Sequence, residues 1–208
     1  MDQRAKTESR ATVGEFRTRE QTELTKTSSP AKAQEAQGQF NMTKPLWRPA
    51  YIGVGSNLDE PTEQVRQGIE SLKGLPRSSV VLRSGLFRSA PMGPKDQPDY
   101  INAVAAIVTR LEARELLALM KGVEQAQGRD PGADRWGPRI LDLDLLAFSS
   151  VIMASDDLTL PHPGIAERNF VLLPWREIAP HYRVPGIGTV AELAQSIAID
   201  EPRIEKLD

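Results

Sequence analysis

The sequence predicts an α+β sandwich of ferredoxin-like type: order βαββαβ, a mainly antiparallel sheet, helices on one face and extra C-terminal helices. Three observations carry this expectation. Apolar runs of strand length alternate with two segments of helical periodicity between Ala50 and Phe148. The second and third of those runs are separated by a loop rather than a helix, which suits antiparallel neighbours. Clusters of Gly, Pro and Asp punctuate the pattern, each a breaker of regular structure.

Taken in order, Ala50–Gly55 (AYIGVG) reads as a short buried strand. Asp59 and Pro61 open a helix that carries Val65, Ile69 and Leu72 on one face. Val80–Phe87 is a second strand, Ala90–Pro98 (APMGPKDQP) a loop with three prolines, and Tyr100–Thr109 (YINAVAAIVT) a third strand. Leu116, Leu117, Met120 and Val123 mark one face of a second helix, which ends somewhere in Gln125–Arg129. The Gly/Pro/Asp-rich loop Asp130–Pro138 then feeds Ile140–Phe148 (ILDLDLLAF), whose alternation makes a strand with Asp142 and Asp144 on its polar face. Two shorter helices follow, one around Arg168–Trp175 and one over Thr189–Ile197, the latter begun by the capping box Thr189-Val-Ala-Glu192.

Residues 1–46 differ from the rest. Large apolar residues are widely separated there and follow no period, so a disordered N-terminal extension is expected, with the folded domain over 47–208. Its eight Lys and Arg stand against six Asp and Glu, and that acid content argues against a transit peptide. Across 208 residues the net charge is −2, which offers no basic face for nucleic acid. With no cysteine, a disulfide framework, a thiol nucleophile and thiolate metal sites are excluded. No apolar run approaches the roughly 20 residues that span a bilayer. A cytoplasmic monomer without a membrane partner is the plain expectation.

The chemistry gathers at Asp142 and Asp144. Two carboxylates at alternate strand positions project from one face, and like charges so close favour a cation between them. Hard oxygen donors in small number suit Mg²⁺, which takes its remaining ligands from substrate phosphates and water. An exposed strand with alternating acids would look the same, so the neighbourhood decides. Arg129, Arg135, Trp136 and Arg139 precede the pair on a Gly/Pro-bounded loop. Guanidinium groups there supply the other half of a metal–polyphosphate site, since they grip phosphate oxygens in a bidentate way. His162, pinned between Pro161 and Pro163, is a stiffly placed donor. Tyr100 and Asn102 share a strand face and, with Phe170, can form an aromatic slot whose amide reads the edge of a heterocycle. Gly53-Val-Gly55-Ser56-Asn57 lacks both the dinucleotide and the P-loop fingerprints, so its glycines read as strand-end geometry. Rival readings at this point are another D-x-D metal-dependent enzyme acting on a phosphorylated substrate, and a module that binds without catalysis.

Taken together, these residues resemble the 6-hydroxymethyl-7,8-dihydropterin pyrophosphokinase family of folate biosynthesis. The likeness runs through YIGVGSNL (51–58), FRSAPMGPKDQPDYINAV (87–104), RWGPRILDLDLLAF (135–148) and LPHPGIAERNFVLLPWREIAP (160–180). It implies transfer of pyrophosphate from ATP to the pterin hydroxymethyl group with release of AMP, using two Mg²⁺ ions. By position it implies Asp142 and Asp144 as metal ligands, and Arg129 and Arg139 as catalytic, phosphate-contacting arginines. His162 and Arg168 match further ATP contacts, with Thr159, Leu145, Glu124 and Trp136 on the nucleotide side. Tyr100, Asn102, Trp136 and Phe170, with the backbone of Ala90 and Met92, match the pterin pocket. The chain departs from the family pattern at Pro131 and Gly132, where a basic pair is common, at Pro163, where an aromatic residue is, and at Asp157, where an arginine is.

Overall fold

The computed structural model describes residues 46–128, 137–197 and 202–207. The expected N-terminal extension, apart from Leu46, and the loop residues Arg129–Trp136 lie outside this range. Regular structure starts with β1 (Arg48–Ser56) and α1 (Pro61–Lys73), followed by β2 (Ser78–Arg83), β3 (Phe87–Ser89) and β4 (Tyr100–Thr109). Next come α2 (Ala113–Ala126), β5 (Asp142–Phe148), β6 (Met153–Ala154) and β7 (Thr159–Leu160). A 3₁₀ turn at Ile165–Glu167 leads into α3 (Asn169–Ile178), then β8 (Arg183–Val184), β9 (Gly188–Thr189), α4 (Val190–Ser196) and β10 (Ile204–Lys206).

The main sheet is antiparallel, in the order β10-β3-β4-β1-β5, with β2 on the same side of β4 as β3. Alternation along the strands sorts the core into two layers. Ala50, Ile52, Val54, Ile101, Ala103, Ala105, Ile107, Leu143 and Leu145 face α1 and α2. Tyr51, Val104, Ala106 and Leu146 face α3 and α4. The C-terminal helices therefore cover the face opposite the first pair. This explains why β4 reads as one apolar run: nearly every residue in it is buried, whichever way it points. On the α1 side the approach is close, since a Cβ on Gly68 would stand 2.7 Å from Leu141 Cδ1.

Three elements differ from the sequence expectation. The strand expected over Val80–Phe87 is broken, because Ser84 interrupts the ladder. Its N–H donates to Val104 O and its Oγ accepts from Val104 N, each at 2.9 Å. Between Arg83↔Ala105 and Phe87↔Asn102 this side of the pair carries one residue more than β4, a bulge that bends the edge strand. Asp59 does not cap α1: Glu60 holds the N-cap place in a left-handed conformation with no side-chain bond, and Pro61 supplies the start. The buried face of α2 is Ala113, Leu116, Met120 and Glu124, with Leu117 and Val123 only partly buried.

Candidate active site

The site lies where α3 stops covering its face of the sheet. Beyond Val104 and Leu146, that face is built from Tyr100 and Asn102 of β4, Gly53 and Gly55 of β1, and Asp142 and Asp144 of β5. Register explains the opening. Gly55 lies between Asn102 and Asp142, and Gly53 between Val104 and Asp144. With no side chains on the central strand, the flanking ones border an open floor. A Cβ at Gly55 would come 3.3 Å from Asn102 Oδ1. The result is a cleft of about 520 Å³ that Ala90, Met92, Tyr100, Asn102, Arg139, Asp142, Asp144, His162, Arg168 and Phe170 all line. A second cleft, of about 260 Å³, is lined by Leu145 and Thr159 and shares Asp144, His162 and Pro163 with the first.

Two arginine–aspartate pairs border the larger cleft. Arg139 Nη1 donates to Asp142 Oδ1, and Arg168 Nη1 donates to Asp144 Oδ2 at 3.2 Å. Burial raises the Asp144 carboxyl above the ordinary aspartate value, and the neighbouring Asp142 adds to this. His162, Arg168 and Arg139 pull the other way. Burial works against the Arg139 charge, but Asp142 outweighs it and holds that guanidinium above its usual value. Burial, reinforced by Asp142, raises the Tyr100 phenol. Burial lowers the His162 pKa, against the pull of Asp144. Gly164 N–H donates to His162 Nδ1 at 3.1 Å, which leaves the ring proton of the neutral form on Nε2, 3.9 Å from Asp144 Oδ2.

Neighbouring groups set these positions. Asn57, 2% exposed at the end of β1, accepts from Arg139 N at 2.7 Å, and its own N–H donates to Arg139 O at 3.0 Å. Its Nδ2 donates to Pro98 O at 3.2 Å, so one amide joins the arginine to the Ala90–Pro98 loop. Asn102 Nδ2 donates to Ser89 Oγ at 2.9 Å, and Tyr100 Oη donates to Gly137 O at 3.1 Å. The Arg168 guanidinium lies on Gly164, where a Cβ would come within 2.6 Å of Arg168 Nε. Asn57, Ser89 and Gly164 were not among the residues expected from sequence. Only Asn57, beside the Gly-bounded end of the first strand, gave a visible signal.

Among the described residues expected at the site, Glu124 lines neither cleft. Glu124, 3% exposed, sits behind β5, where its Oε1 accepts from Leu143 N at 2.8 Å, between the two aspartates in sequence. Asp157, at one of the family departures, is engaged by Arg114, which donates to both its oxygens at 3.1 and 3.2 Å. Arg129 and Trp136 are outside the described residues.

An antiparallel α+β sheet with paired acids and guanidinium groups over a glycine floor has the make-up of an enzyme that handles phosphorylated ligands. The model of the 7,8-dihydro-6-hydroxymethylpterin-pyrophosphokinase (HPPK) family matches residues 51–180. A 2-amino-4-hydroxy-6-hydroxymethyldihydropteridine pyrophosphokinase of Haemophilus influenzae is 40% identical over 149 residues, covering 72% of this chain and 92% of the relative. One from Methylorubrum extorquens is 37% identical over 159 residues, covering 76% of this chain and 98% of the relative. Among solved structures, a doubly substituted variant of Plasmodium falciparum HPPK-DHPS with pterin and p-hydroxybenzoate matches with a TM-score of 0.60 at 11% identity over 79% of this chain. At that identity the likeness concerns the fold, and this chain spans 47% of that longer one. The chain belongs to the HPPK family.

Proposed function

We propose that this chain transfers the pyrophosphoryl group of ATP to the hydroxymethyl group of 6-hydroxymethyl-7,8-dihydropterin, releasing AMP, as a step of folate biosynthesis. Family membership supplies the reaction. The observation that carries the residue assignment is the pair of carboxylates, Asp142 and Asp144, bordering one glycine-floored cleft with an arginine on each.

The donor set fits Mg²⁺. Both carboxylates line the cleft, and their crowding, with burial, raises one of them, a tension a cation relieves. Among the described residues no group of three or more His, Asp or Glu forms a cage of protein ligands. The remaining ligands would come from substrate phosphates and water, as is usual for Mg²⁺, and two ions with ATP is our reading. Held by Asp142 and Asp144, such a metal would offset phosphate charge during the transfer.

The chain's own groups bind and orient. Tyr100 and Phe170 form the aromatic walls for the pterin, Asn102 reads its edge, and the Ala90–Met92 backbone closes that side. Thr159 and Leu145 take the nucleotide side, in the smaller cleft. Arg139, Arg168 and the Nε2 proton of His162 meet phosphate charge, and family likeness proposes the same role for Arg129. The hydroxymethyl oxygen attacks the β-phosphorus, and the bond from that phosphorus to the α–β bridging oxygen breaks. No protein nucleophile is needed, so positioning and electrostatics supply the rate. The test incubates the protein with ATP, Mg²⁺ and 6-hydroxymethyl-7,8-dihydropterin and identifies the nucleotide product. AMP with a pyrophosphorylated pterin is expected; ADP, or no turnover from folded protein, overturns the reading.

A further inference from the structure

Between Pro202 and Leu207 the chain runs back along the outer edge of β3, and two adjacent carbonyls there face two different walls of the larger cleft. Ala90 N–H donates to Arg203 O at 3.0 Å, and Asn169 Nδ2 donates to Pro202 O at 2.7 Å. Ala90 begins the loop that carries Met92, whereas Asn169 stands between Arg168 and Phe170. The same segment is fastened further along. Leu207 N–H donates to Leu86 O at 2.8 Å, and Lys206 Nζ pairs with Glu177 Oε1 at 2.6 Å near the far end of α3. Arg203 also reaches Asp99, the residue before Tyr100, at 3.5 Å.

Packing already holds α3 on the sheet through Val171, Leu172 and Trp175. Its start is different. The N-cap residue is Arg168, which makes no capping side-chain bond, so the first turn lacks the usual Ser, Thr or Asp anchor. Asn169, 0% exposed, donates from its amide to the Pro202 carbonyl at this point.

We propose that Asn169 is a positioning residue for the pterin. Through Pro202 and Arg203 it ties the Phe170 wall to the Ala90 wall and sets the spacing between them. This rests on reading the space between those walls as the pterin pocket.

The test compares the full chain, Asn169→Ala, a chain ending at Glu201, and the two changes combined. Asn169→Ala raises KM and Kd for 6-hydroxymethyl-7,8-dihydropterin by about fivefold to thirtyfold, the loss expected for a buried hydrogen bond that holds a wall in place. KM for ATP stays within experimental error of wild type. In the shortened chain, the pterin constants are already raised and Asn169→Ala adds less than it does in the full chain, because the bond to Pro202 is already gone. An unchanged pterin KM in Asn169→Ala overturns the proposal, as do effects that simply add. A lowered melting temperature with both KM values unmoved also overturns it, since that is the mark of a merely structural amide. If the shortened chain does not fold, full-length Asn169→Ala decides alone. Tyr100→Ala and Phe170→Ala separate the two readings. If they also leave the pterin KM unchanged, the pocket assignment is what fails; if they raise it while Asn169→Ala does not, only the tie fails.

Discussion

Asp144 touches both clefts and stands beside Asp142, Arg168 and His162, so its loss removes more than one contact. Asp144→Ala is expected to lower kcat by about a thousandfold or more, the scale seen when one electrostatic element of a transition-state site is removed. Its melting temperature should stay near wild type, because burial and Asp142 disfavour the ionised carboxylate in the folded state. A large fall in melting temperature would show instead that the acid is structural. Gly164→Ala is a subtler case. The added methyl would meet the Arg168 guanidinium at 2.6–3.1 Å, so that group must shift from its place beside Asp144. Here kcat/KM should drop by about tenfold or more with an unchanged circular dichroism spectrum, because small misplacements near reacting groups are costly. Unchanged kinetics would make the Arg168–Asp144 pair dispensable. At this scale the sequence exposes residue types but not their supports. Asp142, Asp144 and Arg139 announce themselves by charge and spacing. The need for glycine at 164 arises only once Arg168 folds back over it.

Among the elements, α4 begins as its sequence demands. Glu192 N–H donates to Thr189 Oγ1 at 3.2 Å, and Thr189 N–H donates to Glu192 Oε2 at 2.8 Å. The Thr189 backbone bond, aided by its hydroxyl, holds the Glu192 carboxyl below its ordinary value. A depressed carboxylate stabilises the fold at pH above its unfolded-state value, and that contribution disappears as pH falls through the lower, folded-state value. The melting-temperature difference between wild type and Glu192→Ala should therefore be largest near neutrality and shrink below about pH 4. A difference independent of pH would rule out the charged capping box. Other elements resisted reading because their causes are remote. The break after Arg83 depends on Val104 finding the Ser84 hydroxyl, some twenty residues away in the chain. β10 is a short strand that pairs with Phe87–Ser89, and nothing in Ile204–Lys206 itself signals a strand. Glu124 enters the sequence reading only through the resemblance, on the nucleotide side, and nothing local announces its bond to Leu143 N–H.

Across the molecule, the sheet is covered on both faces, and the second layer turns on three rings. Tyr51, Trp175 and Tyr182 meet with centroids 4.4–5.7 Å apart, and Tyr182 Oη donates to Ser149 O at 2.6 Å. Trp175→Ala should cost about 3–5 kcal/mol. For a domain of this size that lowers the melting temperature by about 6–20 °C. A change of only a degree or two would mean that α3 is held by its ends rather than by this layer. The α+β class and the strand Tyr100–Thr109 were legible because apolar periodicity and apolar runs of strand length are local signals. Which helix covers which face was not, since both faces of a doubly covered strand look alike in sequence. One consequence concerns time. Gly53 pairs with Asp144, and Ile52 with Leu145, so β1 finds that neighbour only by closing a loop of about ninety residues. Such distant pairings form late and slow a folding reaction. Refolding protein should thus pass through a stage in which β1, α1 and β4 are assembled while the edge that carries Asp142 and Asp144 is still absent, a structured but catalytically silent species, and regain of activity should lag behind regain of secondary structure.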